Sequence, residues 1–151
     1  MLSRMTAGRR GGTLPRVADD LDALIDVGLD VAQRLLNRDG ELSAFAVAMT
    51  VDGAVEVIAV GPEPAGDPEA SAGVEDCWAH LVARRADLRA AAIVCAVGPP
   101  GVSGGAIEVV VEHADGAAVG MRLPYSRRRF GRVEYGRLEV GAGTARVWPG
   151  R

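Results

Sequence analysis

Apolar residues at Val17, Leu21, Leu24, Ile25, Ala32, Leu35 and Leu36 recur at the three-to-four-residue spacing of a helix that buries one side. The pattern predicts an amphipathic helix from about Val17 to Asn37. Asp19, Asp22, Asp26 and Asp30 lie on its solvent side, and Asp39-Gly40 is the stop signal. The period then changes. Ala44 to Val51 and Ala54 to Val60 read as strands joined at Asp52-Gly53, a dipeptide suited to a tight hairpin in which both turn positions accept positive φ. Residues 61 to 73, with Pro62, Pro64 and Pro68, read as a loop. A second helix is expected from about Glu69 or Val74 to Leu88, with its apolar stripe at Val74, Cys77, Trp78, Leu81, Val82 and Leu88.

Ala91 to Val97 is a continuous apolar run, which predicts a central strand. Gly98 to Gly105 connects it to two alternating strands, Ile107 to His113 and Ala117 to Leu123, which flank a second turn at Asp115-Gly116. An arginine-rich loop from Ser126 to Gly131 leads to a strand over Val133 to Val140. A turn at Gly141 to Thr144 precedes a short last strand near Ala145 to Trp148. Trp78 is expected to pack against Ile93 and Cys95 or their neighbours. The expected fold class is α+β: two helices and one mainly antiparallel sheet in the order α-β-β-α-β-β-β-β(-β), with the helices mostly on one face. At 151 residues this is one domain over residues 17 to 151, preceded by a flexible basic arm over residues 1 to 16. Over roughly residues 17 to 123 the element order resembles that of roadblock, profilin-like and PAS/GAF-like modules. That resemblance implies dimerisation or regulation rather than catalysis.

Charge divides the chain unevenly. All seventeen basic residues are arginines, and there is no lysine, a bias expected of a high-GC bacterial genome. The first sixteen residues hold Arg4, Arg9, Arg10 and Arg16 with no acid. Residues 120 to 151 hold eight arginines against Glu134 and Glu139, although the net charge is −3. Without an amine of adjustable pKa, Schiff-base chemistry, a Walker A loop and a lysine general base are excluded. Asn37 and Gln33 are the sole side-chain amides, which disfavours sites that depend on Asn. No apolar stretch approaches the ~20 residues of a membrane span, and the basic arm lacks the apolar core of a secretory signal. Two cysteines suit a reducing compartment, and the expected location is cytoplasmic.

The most specific local feature is the loop holding Tyr125, Arg127, Arg128, Arg129, Phe130 and Arg132. Guanidinium forks bind carboxylates and phosphates in bidentate fashion and stack on planar groups, which suits an anionic ligand or a protein partner, a second copy of the chain included. An acidic pI of about 5.4 argues against nucleic acid, and a charged tip can also simply guard a strand edge. The aspartate row on the first helix is a solvated face or the counterpart of that loop. Together these features point to a non-enzymatic regulatory or interaction module that needs no cofactor.

The alternative is a small enzyme or zinc protein. Cys77, His80, Cys95 and His113 would make a Cys2His2 set if they converged. His113 could act as a base oriented by Asp115, since strand alternation turns Glu112 to the opposite face. Gly98 to Gly105 follows a strand as phosphate loops do, but it leads into another strand and so lacks the helix N-terminus that such sites use.

Overall fold

A computed structural model of the chain describes residues 15–58, 70–97, 104–127 and 133–149. Helix α1 (Pro15–Asp39) is followed by strands β1 (Phe45–Thr50) and β2 (Val55–Ile58), and by helix α2 (Ala70–Ala83). A 3-10 turn (Arg85–Asp87) then leads into β3 (Leu88–Val97), β4 (Gly104–His113), β5 (Ala118–Arg127), β6 (Val133–Tyr135) and β7 (Glu139–Ala142). The strands form one sheet in the order β2-β1-β3-β4-β5-β6, every pair antiparallel. β6 pairs the C-terminal half of β5 and β7 pairs its N-terminal half. The class is α+β, in the expected element order.

Both hairpin turns form at the expected dipeptides by a different geometry. Gly53 and Gly116 have φ of 96° and 112°, whereas no residue other than glycine has positive φ among the described residues. Gly53 N–H donates to the Thr50 carbonyl and Thr50 N–H to that of Ala54. Gly116 and His113 repeat the arrangement with His113 and Ala117. Each is therefore a three-residue loop closed by a left-handed glycine, so the preceding aspartate keeps an ordinary backbone.

The helices lie on opposite faces of the sheet, which corrects the expectation that they share one. Strand alternation sorts the core. Val47 and Met49, Ala90, Ala92 and Val94, and Ile107, Val109 and Val111 pack with α1 through Leu21, Leu24, Ala32 and Leu36. Ala46, Ala48, Ala91 and Ile93 pack with α2 through Cys77, Trp78 and Leu81. β2 and β3 are parallel and separated by β1, so the chain crosses between them over one face and leaves the other to α1. The burial of β1 and β3 on both sides follows from this. A register shift between Met49 and Thr50 makes Arg89 an extra residue in β3. Leu88 on one side of it packs under α2 while Ala90 on the other packs under α1.

Several boundaries also differ from expectation. Leu88 begins β3 rather than ending α2, because the 3-10 turn breaks the helix after Ala83. The strand expected over 133–140 is split into β6 and β7, and Gly141, expected in a turn, lies within β7. Residues 145–148 form no strand. They cross the α2 face as an irregular strap, with Val147 fully buried beside Trp78, Leu81 and Leu88. α1 begins at Pro15, so residues 15 and 16 of the expected arm are helical. Residues 1 to 14 lie outside the described residues.

Candidate functional site

The arginine-rich loop is the connection of a β-hairpin. β5 continues past its expected end, and Tyr125, Ser126 and Arg127 pair with Tyr135, Glu134 and Val133. Arg127 opposite Val133 therefore closes a five-residue connection that carries Arg128, Arg129, Phe130 and Arg132. Those four residues and the Arg127 side chain lie outside the described residues. At the base of the connection Tyr125 and Tyr135 stand opposite one another on the α1 side, half-buried against the core under α1. The Tyr135 hydroxyl is buried with no hydrogen-bond partner among the described residues. Burial, with Tyr125 beside it, raises its pKa above the ordinary tyrosine value. Asp19, Asp22, Asp26 and Asp30 are exposed along α1, where Asp30 pairs with Arg34 at 3.0 Å.

His113 ends β4 on the α1 side, and its principal partner is one that sequence reasoning missed. Its Nε2 lies 2.9 Å from Asp20 Oδ2, and Asp115 N–H donates to Nδ1 at 3.2 Å. A nitrogen that accepts carries no proton, so the imidazole proton sits on Nε2 and is donated to Asp20. Arg89, the extra residue of β3, closes the cluster: its Nε and Nη2 donate to the two Asp20 oxygens at 3.0 Å, and its Nη1 donates to the Val51 carbonyl at 3.2 Å. Burial acts to raise the Asp20 carboxyl, but the hydrogen bonds from Arg89 and His113, with the Arg89 charge, outweigh it and hold the group below the ordinary aspartate value. Asp20, Arg89 and His113 thus pin α1 to the sheet end where both hairpin turns lie. Both ring nitrogens of His113 are engaged, which leaves neither to take a substrate proton.

The Cys2His2 set does not assemble. Cys77 and Cys95 lie on the α2 side, His113 on the α1 side, and His80 is exposed on α2. A sheet stands between His113 and the cysteines, and no group of three or more metal-ligating side chains gathers among the described residues. Neither cysteine forms a disulfide. Burial, with Glu108 and Cys77 adding, pushes the Cys95 thiol up to about 11, so it stays protonated and weakly nucleophilic near neutrality.

A second group that sequence reasoning missed lies on the α2 side. Glu112 is fully buried, and its carboxylate accepts the consecutive backbone N–H groups of Arg146, Val147 and Trp148 at 2.9 to 3.1 Å. The strap is tied further by Arg85 Nη1 to the Val147 carbonyl and by Arg146 to Glu75. The Arg146 guanidinium lies 5.0 Å from the centre of the Trp78 ring. Between the strap and β7 opens a cleft of about 510 Å³.

Sequence signals existed for part of this. Asp20 stands three residues after Val17 and four before Leu24, where the helical stripe calls for an apolar side chain. Nothing local marks Arg89, whose role follows from the register shift. Comparison with known proteins found no matching family model, no similar curated protein and no similar solved structure. Among the described residues no helix is long and apolar enough to cross a membrane.

Proposed function

We propose that the protein is a non-enzymatic, cytoplasmic regulatory or interaction module that contacts an anionic partner, a protein surface or a second copy of the chain, through the tip of the β5–β6 hairpin. The observation that supports this reading most is the pairing of Arg127 with Val133, which places Arg128, Arg129, Phe130 and Arg132 in one short connection anchored to the sheet. Guanidiniums this close in sequence suit binding to one anionic surface, and aromatic residues beside them offer planar groups on which a guanidinium or a partner can stack. The saturated hydrogen bonding of His113 and the separation of the cysteines weigh against the enzyme and zinc readings. Replacing Arg127, Arg128 and Arg129 together by serine tests the proposal. The variant is expected to melt like the parent and to lose self-association or capture of an acidic partner, with the larger difference at low salt because surface charge is screened beyond about 8 Å at 0.15 M. Identical sedimentation and pull-down profiles at both salts would refute it.

A further inference from the structure

The cleft on the α2 side has a floor that the backbone does not require. Strand registers line up two rows there. Ile93, Val110, Gly120 and Gly141 make one, and Cys95, Glu108, Arg122 and Glu139 make the next. Gly120 and Gly143 are constrained: a Cβ on Gly120 would stand 3.3 Å from the Ala142 carbonyl oxygen, and one on Gly143 would collide with the Val119 backbone. Gly141 differs. A Cβ there meets nothing within 4 Å, and its φ is not in the left-handed region. Glycine inside a strand weakens the strand, and where no turn or steric conflict accounts for it, close approach of a ligand or another backbone is the remaining common reason.

The rim supplies the chemistry. Arg122 gives Nη2 to Glu108 at 2.8 Å, which leaves Nε and Nη1 as further donors, while the carboxylates of Glu108 and Glu139 present acceptor oxygens. On the opposite wall the Arg146 guanidinium lies over the Trp78 ring and bonds through two nitrogens to Glu75, and so presents a planar surface. Arg146 is paired with Glu75 and Arg122 with Glu108, while Glu139 adds a further carboxylate, so the lining favours a neutral ligand over an anion. The open face of Gly141 favours a flat one, and donors beside acceptors favour an edge that carries both. The volume, about 510 Å³, lies within the range of small-molecule sites.

We propose that this cleft binds a neutral planar ring whose edge carries a hydrogen-bond acceptor beside a donor, as in a nucleobase or another cyclic amide. The ring lies over Gly141, its acceptor faces Arg122, and its donor faces Glu108 or Glu139. The proposal is independent of the arginine tip: the described lining residues include none from it.

Cytidine, a soluble uncharged carrier of such an edge, is the probe. Titrated into the full isotope-labelled chain, it is expected to give saturable amide shifts at Gly120, Gly141 and Thr144. Gly141→Leu fills the cleft from a position with open space around it and should abolish the shifts while leaving the remaining spectrum in place. Arg122→Gln, which replaces the charged guanidinium fork by a shorter neutral amide at an exposed site, should weaken binding by about tenfold or more. It serves as the deciding variant if Gly141→Leu does not fold. Replacing Arg127, Arg128 and Arg129 by serine should leave the titration unchanged, which separates the fate of this site from that of the hairpin tip. Absence of saturable shifts up to about 10 mM, far beyond millimolar affinity, would overturn the proposal. So would undiminished binding by Gly141→Leu or by Arg122→Gln.

Discussion

Under α1 the sheet is covered by one helix of 25 residues that reaches across β1, β3 and β4 and is pinned at one end by Asp20, Arg89 and His113. The other face has a helix of 14 residues that packs mainly on β1 and β3, and the remaining area is shared between an irregular strap and an open cleft. The first face spends its buried charges on one another. The second spends Glu112 on holding the strap and leaves Arg122, Glu108 and Glu139 at an open rim. The α1 side is thus the closed one, and the two proposed ligand sites lie on the α2 side and at the hairpin tip.

The most damaging single change expected on the α2 side is Trp78→Ala, which removes a nearly buried ring from the middle of the second core and from under Arg146. A loss of about 3–5 kcal/mol, read as a lower melting temperature and urea midpoint, would match a core that depends on it. Melting at the parent temperature would show that the strap and helix do not depend on this ring.

On the α1 side Asp20→Asn should cost about 3 kcal/mol, the lower end for breaking a buried ion pair, because the Arg89 side chain keeps some exposure to water. The same carboxyl gives the pH dependence its sign. Its folded-state pKa lies below the unfolded aspartate value of about 3.9, so its stabilising contribution is complete above that value and disappears as pH falls through the folded one. The difference in melting temperature between parent and Asp20→Asn should therefore shrink on acidification below about pH 4. A constant difference would mean that the cluster acts by packing alone.

Glu112→Gln should cost about 2 kcal/mol, since an amide cannot accept from three adjacent N–H groups as a carboxylate does. Hydrogen exchange should rise at residues 146–148 while β3 and β4 amides remain protected, which would locate the loss in the strap. The smallest expected effect is Gly141→Ala. With open space and ordinary φ it should leave stability unchanged or raise it by about 0.5 kcal/mol, and a clear loss would remove the argument that the backbone does not need this glycine.

Much of this architecture can be read from residue order. The alternation of Ile107 to His113 and Ala117 to Leu123 around Asp115-Gly116 is enough for the β4–β5 hairpin, and the uninterrupted run Ala91 to Val97 marks a strand with little exposed surface. That run also implied a layer on each side of the sheet, an implication that placing both helices on one face ignored. Residues 145–148 resemble a strand because Val147 and Trp148 are apolar, but their amides go to a side chain rather than to a neighbouring strand. The glycine floor was hidden for a different reason. Gly120 and Gly141 meet only through the register of β5 with β7, which depends on the break between β6 and β7 that the pattern of Val133 to Val140 does not show. Asp20 was visible as a carboxylate in an apolar stripe. Its partners, 69 and 93 residues away, were not.

The bonds from Glu112 to residues 146–148 join positions 34 to 36 apart, and they also fix the order in which the molecule can be completed during synthesis. α1 and strands β1 to β5 precede residue 128 and hold the whole core under α1 apart from the contacts of β6. That side can close while later residues are still being added, since chains begin to fold from the N-terminal side as they emerge. Until Arg146, Val147 and Trp148 arrive, the Glu112 carboxylate must keep its water, and the space that Val147 fills stays open. A nascent chain stopped just short of residue 146 would therefore present an exposed apolar patch on one face of an otherwise formed sheet, the kind of surface that chaperones and proteases recognise.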